Sequence, residues 1–194
     1  MTSDGHGTVR HLHHLVVAML LLAVGACASQ PPDVPRQYLD QQSAATVTVA
    51  TGALVFARER PELAVHARDY LTLVPVDVNQ AGTHRLYFYC HVWSTIDKRG
   101  QPGNDDGPAR FELVADGRQI PLVPVEASIR DLGLAEPPVR APSPSARLLV
   151  AATDRDALEF LASASELRAI AHHGGASERY ELWKDGRQSL LSML

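Results

Sequence analysis

Four side chains at alternate positions, Tyr87, Tyr89, His91 and Trp93, form the densest collection of groups in the chain that could do chemistry. In a strand, residues two apart share a face, so three aromatic rings and one imidazole would make a single stripe. Rings aligned this way stack on sugar rings through their apolar faces while their polar tips form hydrogen bonds. The stripe is therefore a candidate platform for a glycan or peptidoglycan. The same residues have a second reading as part of a central strand covered on both sides. Leu86, Phe88, Cys90 and Val92 would then face an opposing sheet, and the aromatic rings would lie beneath a short helix that follows Thr153. A large apolar stripe left in water is costly, which favours cover, but both readings stay open on the sequence.

The other constellations carry less. Asp105 and Asp106 sit in the loop Gly100–Pro108 and offer oxygen ligands or a hydrolase acid pair. A calcium loop, however, spaces its ligands and closes on a glutamate, and this one does not, so turn chemistry suffices. His172 and His173 are adjacent in a glycine turn, without the i, i+4 spacing or the companion carboxylate of a zinc site. Asp154 and Asp156 fit the first turn of a helix better than a catalytic pair. No glycine-flanked serine elbow, serine–lysine pair or zinc-protease helix is written in the chain. We therefore expect no catalytic residues, no metal site and no cofactor. Cys90 shares its face with Leu86, Phe88 and Val92 and reads as a core thiol. His91, its neighbour, would point the opposite way and could not activate it.

The N-terminus is more explicit. Arg10 and the histidines 11, 13 and 14 precede an uninterrupted apolar or small run from Leu15 to Ala28 that contains Cys27. This is the layout of a secretory signal, and it falls short of the about 20 apolar residues that a membrane-spanning helix needs. Val24-Gly25-Ala26-Cys27 resembles the lipobox of bacterial lipoproteins. That resemblance implies cleavage after Ala26 and acyl chains on Cys27, with membrane lipid as the first partner. More than one acyl chain makes such an anchor durable, because each buried methylene adds roughly 0.8 kcal/mol. The aspartate that often follows the cysteine in lipoproteins retained at the inner membrane is replaced by Ala28-Ser29. The implied address is therefore the periplasmic face of the outer membrane. Beyond this segment the chain is similar to small proteobacterial lipoproteins only in general organisation. The expected divisions are a signal peptide (1–26), a lipid-attachment segment and proline-rich spacer (27–37), and one domain (38–194).

The formal net charge is −4, unchanged by removal of residues 1–26 because these carry one Arg and one Asp. Without a basic excess there is no case for nucleic acid as a partner. An envelope protein or a glycan remains.

The elements that would position these residues are mostly strands. Alternation and β-branched content predict strands at 46–51, 53–58, 70–79, 85–96, 111–115, 119–123, 146–152, 167–172 and 178–184. A short lead-in with a helical pattern is expected over 38–45. Asp116-Gly117 and Gly174-Gly175 mark tight hairpin turns, and a turn at Gly82 joins 70–79 to 85–96. Pro75 costs its strand a ladder bond and suggests an edge or a bulge. Four prolines make 132–145 a long surface loop. Thr153-Asp154 opens a short helix ending near Ala164, and 187–194 reads as a helical turn or a last strand. The expectation is a mainly β fold, an antiparallel β-sandwich of immunoglobulin-like topology with one or two short helices.

Overall fold

The computed structural model describes residues 34–96 and 110–194. The domain is an antiparallel β-sandwich with two short helices. Its strands are β1 (Arg36–Asp40), β2 (Ala45–Val49), β3 (Leu54–Glu59), β4 (Arg68–Gln80), β5 (Thr83–Ser94), β6 (Arg110–Ala115), β7 (Arg118–Leu122), β8 (Arg147–Thr153), β9 (Leu167–His173) and β10 (Ala176–Lys184). Helix α1 is Arg155–Ser163 and helix α2 is Arg187–Leu191.

Strands β8, β5 and β4 lie side by side, and beyond β4 the ladder forks. β2 bonds to the C-terminal half of β4 and carries β1 on its outer side, while β3 bonds to the N-terminal half. From β3 the sheet continues through β10, β9 and β6 to β7. An immunoglobulin-like sandwich has two separately bonded sheets. Here β3 belongs to both ladders, so the two layers are one sheet folded over. Its ends almost meet: Pro124, just past β7, bridges Ala151 of β8, and the Val125 N–H donates to the Val150 carbonyl at 2.8 Å.

The fork explains Pro75. Its carbonyl accepts from the Ala50 N–H at 3.1 Å, so its nitrogen also faces the gap where β2 gives way to β3. The strand is central, with β5 on its other side. In place of the expected edge or bulge the ladder changes partner there, so the missing N–H leaves no ladder bond unmade. The 38–45 lead-in is likewise corrected. Residues 36–40 are a strand in register with β2, Tyr38 opposite Val47, and a turn over 41–44 reverses the chain. Cross-strand packing of Tyr38 against the β-branched face of β2 outweighs the local helical pattern. The domain thus takes in Arg36 and Gln37, which the sequence assigned to the spacer.

Three hairpin turns use the expected chemistry, with positive φ at Ala81 and Gly82, at Asp116 and Gly117, and at Gly174 and Gly175. Helix α1 is capped by Asp154, whose Oδ1 accepts from the Ala157 N–H at 2.7 Å. Of the pair Thr153-Asp154 that opens the helix, the acid is the cap. Residues 187–191 take the helical alternative.

Two cores result. Between the layers, Phe56, Leu71, Phe88 and Cys90 meet Phe111, Leu113 and Ala169, closed at one end by Leu158 and Leu161 of α1 and Leu190 of α2. On the outer face of β2, β4 and β5, Val47, Val76, Tyr87 and Tyr89 are covered by Leu132 and Leu134. Those two leucines come from the proline-rich loop. A turn at 128–134, closed by Leu132 N–H to Ser128 O (3.1 Å) and Leu134 N–H to Ile129 O (3.1 Å), plugs them inward. The loop is a lid over a second core as well as a connection on the surface.

Asp116, at φ 46°, sits at the β6–β7 turn and accepts from the Ser165 and Glu166 N–H groups at 2.8–3.1 Å. These backbone bonds, with Arg187 nearby, hold its carboxyl below the ordinary range. A depressed folded-state pKa contributes stability that is complete above the ordinary carboxylate range and is lost as pH falls through the folded value. We expect the difference in melting temperature between the parent and Asp116→Ala to be greatest near neutrality and to shrink on acidification below the carboxylate range. A difference independent of pH would dismiss this charge–backbone contribution.

Candidate functional site

The stripe does not form one surface. Tyr87 and Tyr89 are built into the second core, Tyr89 wholly buried, and they lie under the proline-rich loop. The expected cover, helix α1, packs against the opposite face with Phe88 and Cys90. Strand alternation separates the two faces correctly but says nothing about which element covers each. Trp93 stays on this face, opposite Tyr70, at the far end of the stripe. It stacks on Tyr70 with ring centroids 4.3 Å apart and an interplanar angle of 14°, and its Nε1 donates to Thr72 Oγ1 at 3.1 Å.

An aromatic that sequence reading missed completes this corner. Trp183 lies at a bulge in β10, where the register to β3 slips between Leu182 and Lys184. It is 58% exposed, contacts Tyr70 edge-on at 6.5 Å, and carries the Arg68 guanidinium 4.5 Å from its ring centroid. Bulges re-aim side chains, and a strand read by alternation alone gives no sign of one.

His91 has a different setting. It is only 3% exposed and forms part of the lining of an open cleft of about 840 Å³, within the usual range for small-molecule sites. Three stretches remote in sequence meet there: β1 with the turn after it, β5 with its neighbour Leu148 on β8, and residues 135–141 of the proline-rich loop. Side chains tie loop to strand. Arg36 Nη2 donates to the Pro138 carbonyl at 2.8 Å, and the Ala135 N–H donates to Asp40 Oδ2 at 2.6 Å. The Ala135 bond holds the Asp40 carboxyl below the usual range. Arg36 also lies 5.1 Å from the ring centroid of Tyr38.

Two polar groups in this region lack a partner among the described residues. His91 Nδ1 and the Tyr89 hydroxyl are both buried with no hydrogen bond. Burial lowers the His91 pKa, which keeps its ring neutral near pH 7, and raises that of Tyr89. A buried donor or acceptor left unmet costs about 1–3 kcal/mol. Native structures seldom carry such a group without a reason.

The remaining sequence candidates are not gathered here. Cys90 is fully buried on the opposite face, and burial pushes its thiol pKa up. His172 is engaged by Ser177 Oγ at 3.0 Å and faces Glu112 at 3.4 Å. Asp154 is the α1 cap. Among the described residues no group of three or more His, Cys, Asp or Glu side chains comes together as a metal site. Cys27 and the Asp105-Asp106 loop lie outside the described residues.

Fold and site together define a mainly β sandwich domain with a mixed polar and apolar cleft beneath a proline-rich loop. Comparison of the chain with protein-family models, curated proteins and solved structures found no match.

Proposed function

We propose that the chain is a lipoprotein of the bacterial cell envelope that works by binding and not by catalysis. Residues 1–26 direct export, acyl chains on Cys27 hold the mature protein to a bilayer, and the proline-rich stretch that follows spaces the β domain from it. The domain then presents its surface to another envelope protein, on the periplasmic side of the outer membrane.

The observation that carries this reading is the position of Val24-Gly25-Ala26-Cys27 at the end of the apolar run from Leu15. An acyl chain needs a thiol at that place, and a peptidase needs small residues before it. The run is also too short for a permanent span.

The test is Cys27→Ala in intact cells fed radiolabelled palmitate. The parent should carry label and partition almost wholly into a detergent phase. The variant should carry none and wash into the aqueous fraction, because a multi-chain anchor is lost as a unit. An unlabelled parent, or a mature N-terminus other than Cys27, would end the reading. Chemical crosslinking in the same cells, followed by mass spectrometry, should recover a protein partner with the parent and not with the displaced variant.

A further inference from the structure

We infer that the cleft floored by His91 is a binding site for an uncharged, hydroxyl-rich ligand of short-saccharide size. The inference does not depend on the lipid anchor, since it concerns the β domain alone.

Charge balance comes first. The charged side chains lining the cleft are two arginines, Arg36 and Arg140, and two carboxylates, Asp40 and Glu136. An anion site would need a surplus of cations and a cation site the reverse. With neither, the favoured ligand is neutral. The lining is nonetheless rich in planar polar groups, since Gln41 and Gln42 join these four. Guanidinium, carboxylate and amide each present paired donors or acceptors, a spacing that suits vicinal hydroxyls. Among the described residues the side chains of Arg140, Glu136 and Gln41 make no hydrogen bond or ion pair, and all three residues are exposed. Tyr38 adds an aromatic ring, and Leu39 (61% exposed) and Leu148 (39% exposed) add apolar surface suited to the C–H faces of sugar rings.

The second line of argument concerns the floor. His91 is 97% buried and belongs to the cleft lining, and its Nδ1 is sealed from solvent without a partner. A neutral imidazole offers one donor and one acceptor, as a hydroxyl does. A rotation of the ring that brings Nδ1 to the cleft surface would let a ligand hydroxyl meet it and remove the cost of the unmet nitrogen.

An extended peptide fits the same volume less well. Pro137 and Pro138 have no N–H, and the Pro138 carbonyl is already taken by Arg36. That wall offers side chains and not a backbone ladder.

The test uses the full-length protein in detergent, titrated with cellobiose, maltose and N,N′-diacetylchitobiose, while the ring nitrogens of His91 are followed by heteronuclear NMR. At least one disaccharide should shift the His91 nitrogens saturably. Arg140→Ala and Glu136→Ala, both exposed and without a hydrogen bond or ion pair among the described residues, should each weaken that binding by about tenfold while leaving the melting temperature unchanged. His91→Phe, which lacks the reporter nitrogens and is therefore read by titration calorimetry, should abolish the heat of binding that the parent gives.

Any of three results would overturn the inference: no saturable shift with any of the three sugars, full affinity retained in both rim variants, or an equal response of His91 to inorganic phosphate or to tri-alanine. An ordered water satisfying Nδ1 would give the first of these. Loss of sugar binding would leave the palmitate experiment on Cys27 untouched, so the two readings fail separately.

Discussion

Gly186→Ala should unfold well below the parent, although it adds a single methyl group at a residue with ordinary negative φ (−106°). A Cβ there would lie 2.4 Å from the Ala53 carbonyl oxygen and 2.6 Å from its carbon. These are backbone atoms and cannot rotate aside. Relief requires α2 to move away from the β2–β3 connection, and α2 carries the wholly buried Leu190 into the inter-layer core. Overpacking ordinarily costs about 1–3 kcal/mol, and a clash against backbone belongs at or above the top of that range. Gly52 gives the control. Its added Cβ would meet Ser189 Oγ at 2.2 Å and Ser189 Cβ at 3.0 Å, both side-chain atoms. Gly52→Ala should therefore be partly rescued by Ser189→Gly, whereas no side-chain truncation at position 189 should rescue Gly186→Ala. Chemical denaturation of the two singles and the two doubles checks both statements. Equal stability of Gly186→Ala and the parent would mean that the helix and the connection are not in contact.

The second large effect belongs to Phe88→Ala. Phe88 is fully buried between Pro75 on β4 and Ala151 on β8, at the middle of the longest ladder, and faces the inter-layer core. Removing a buried phenyl ring costs about 3–5 kcal/mol through lost transfer energy and the cavity left behind. In a domain of this size that is roughly a 10 °C fall in melting temperature, and a large part of a total stability of about 5–15 kcal/mol. Cys90→Ala, on the same face two residues along, should cost much less because fewer atoms leave. Calorimetry of both variants, with the expected order Phe88 over Cys90, checks the place of the ring in the inter-layer core. A Phe88→Ala variant as stable as the parent would mean that the phenyl ring fills no cavity there.

Much of this architecture is legible in the residues because its signals are local. Asp116-Gly117 and Gly174-Gly175 can adopt positive φ cheaply, and each makes its hairpin. Alternation along Leu86–Trp93 separates two faces, and both are buried, as one of the two readings of the stripe requires. The failures share a cause. What covers Tyr87 and Tyr89 is contributed by Leu132 and Leu134, more than 40 residues away, and no pattern within β5 encodes them. Pro75 reads as an edge because the missing N–H is visible in the sequence, while the change of partner from β2 to β3 is not. Residues 38–45 look helical only until Val47 stands opposite Tyr38. The cleft was illegible for the same reason. Arg36, His91 and Arg140 carry no motif and meet only once the sheet has folded. Trp183 was hidden by a bulge, which slips the register without changing the composition.

The near-closure of the sheet at Pro124 and Ala151 has one more consequence. A single bridge and the Val125–Val150 hydrogen bond stitch the ends of the folded sheet together, and the chain that makes this stitch runs directly on into the loop that roofs the second core and walls the cleft. Hem and awning are cut from one strip of cloth. A nick or insertion between Pro124 and Leu134 would slacken the seam and the roof of the second core together, whereas the exposed Glu136 and Arg140 further along can be changed without reaching the seam.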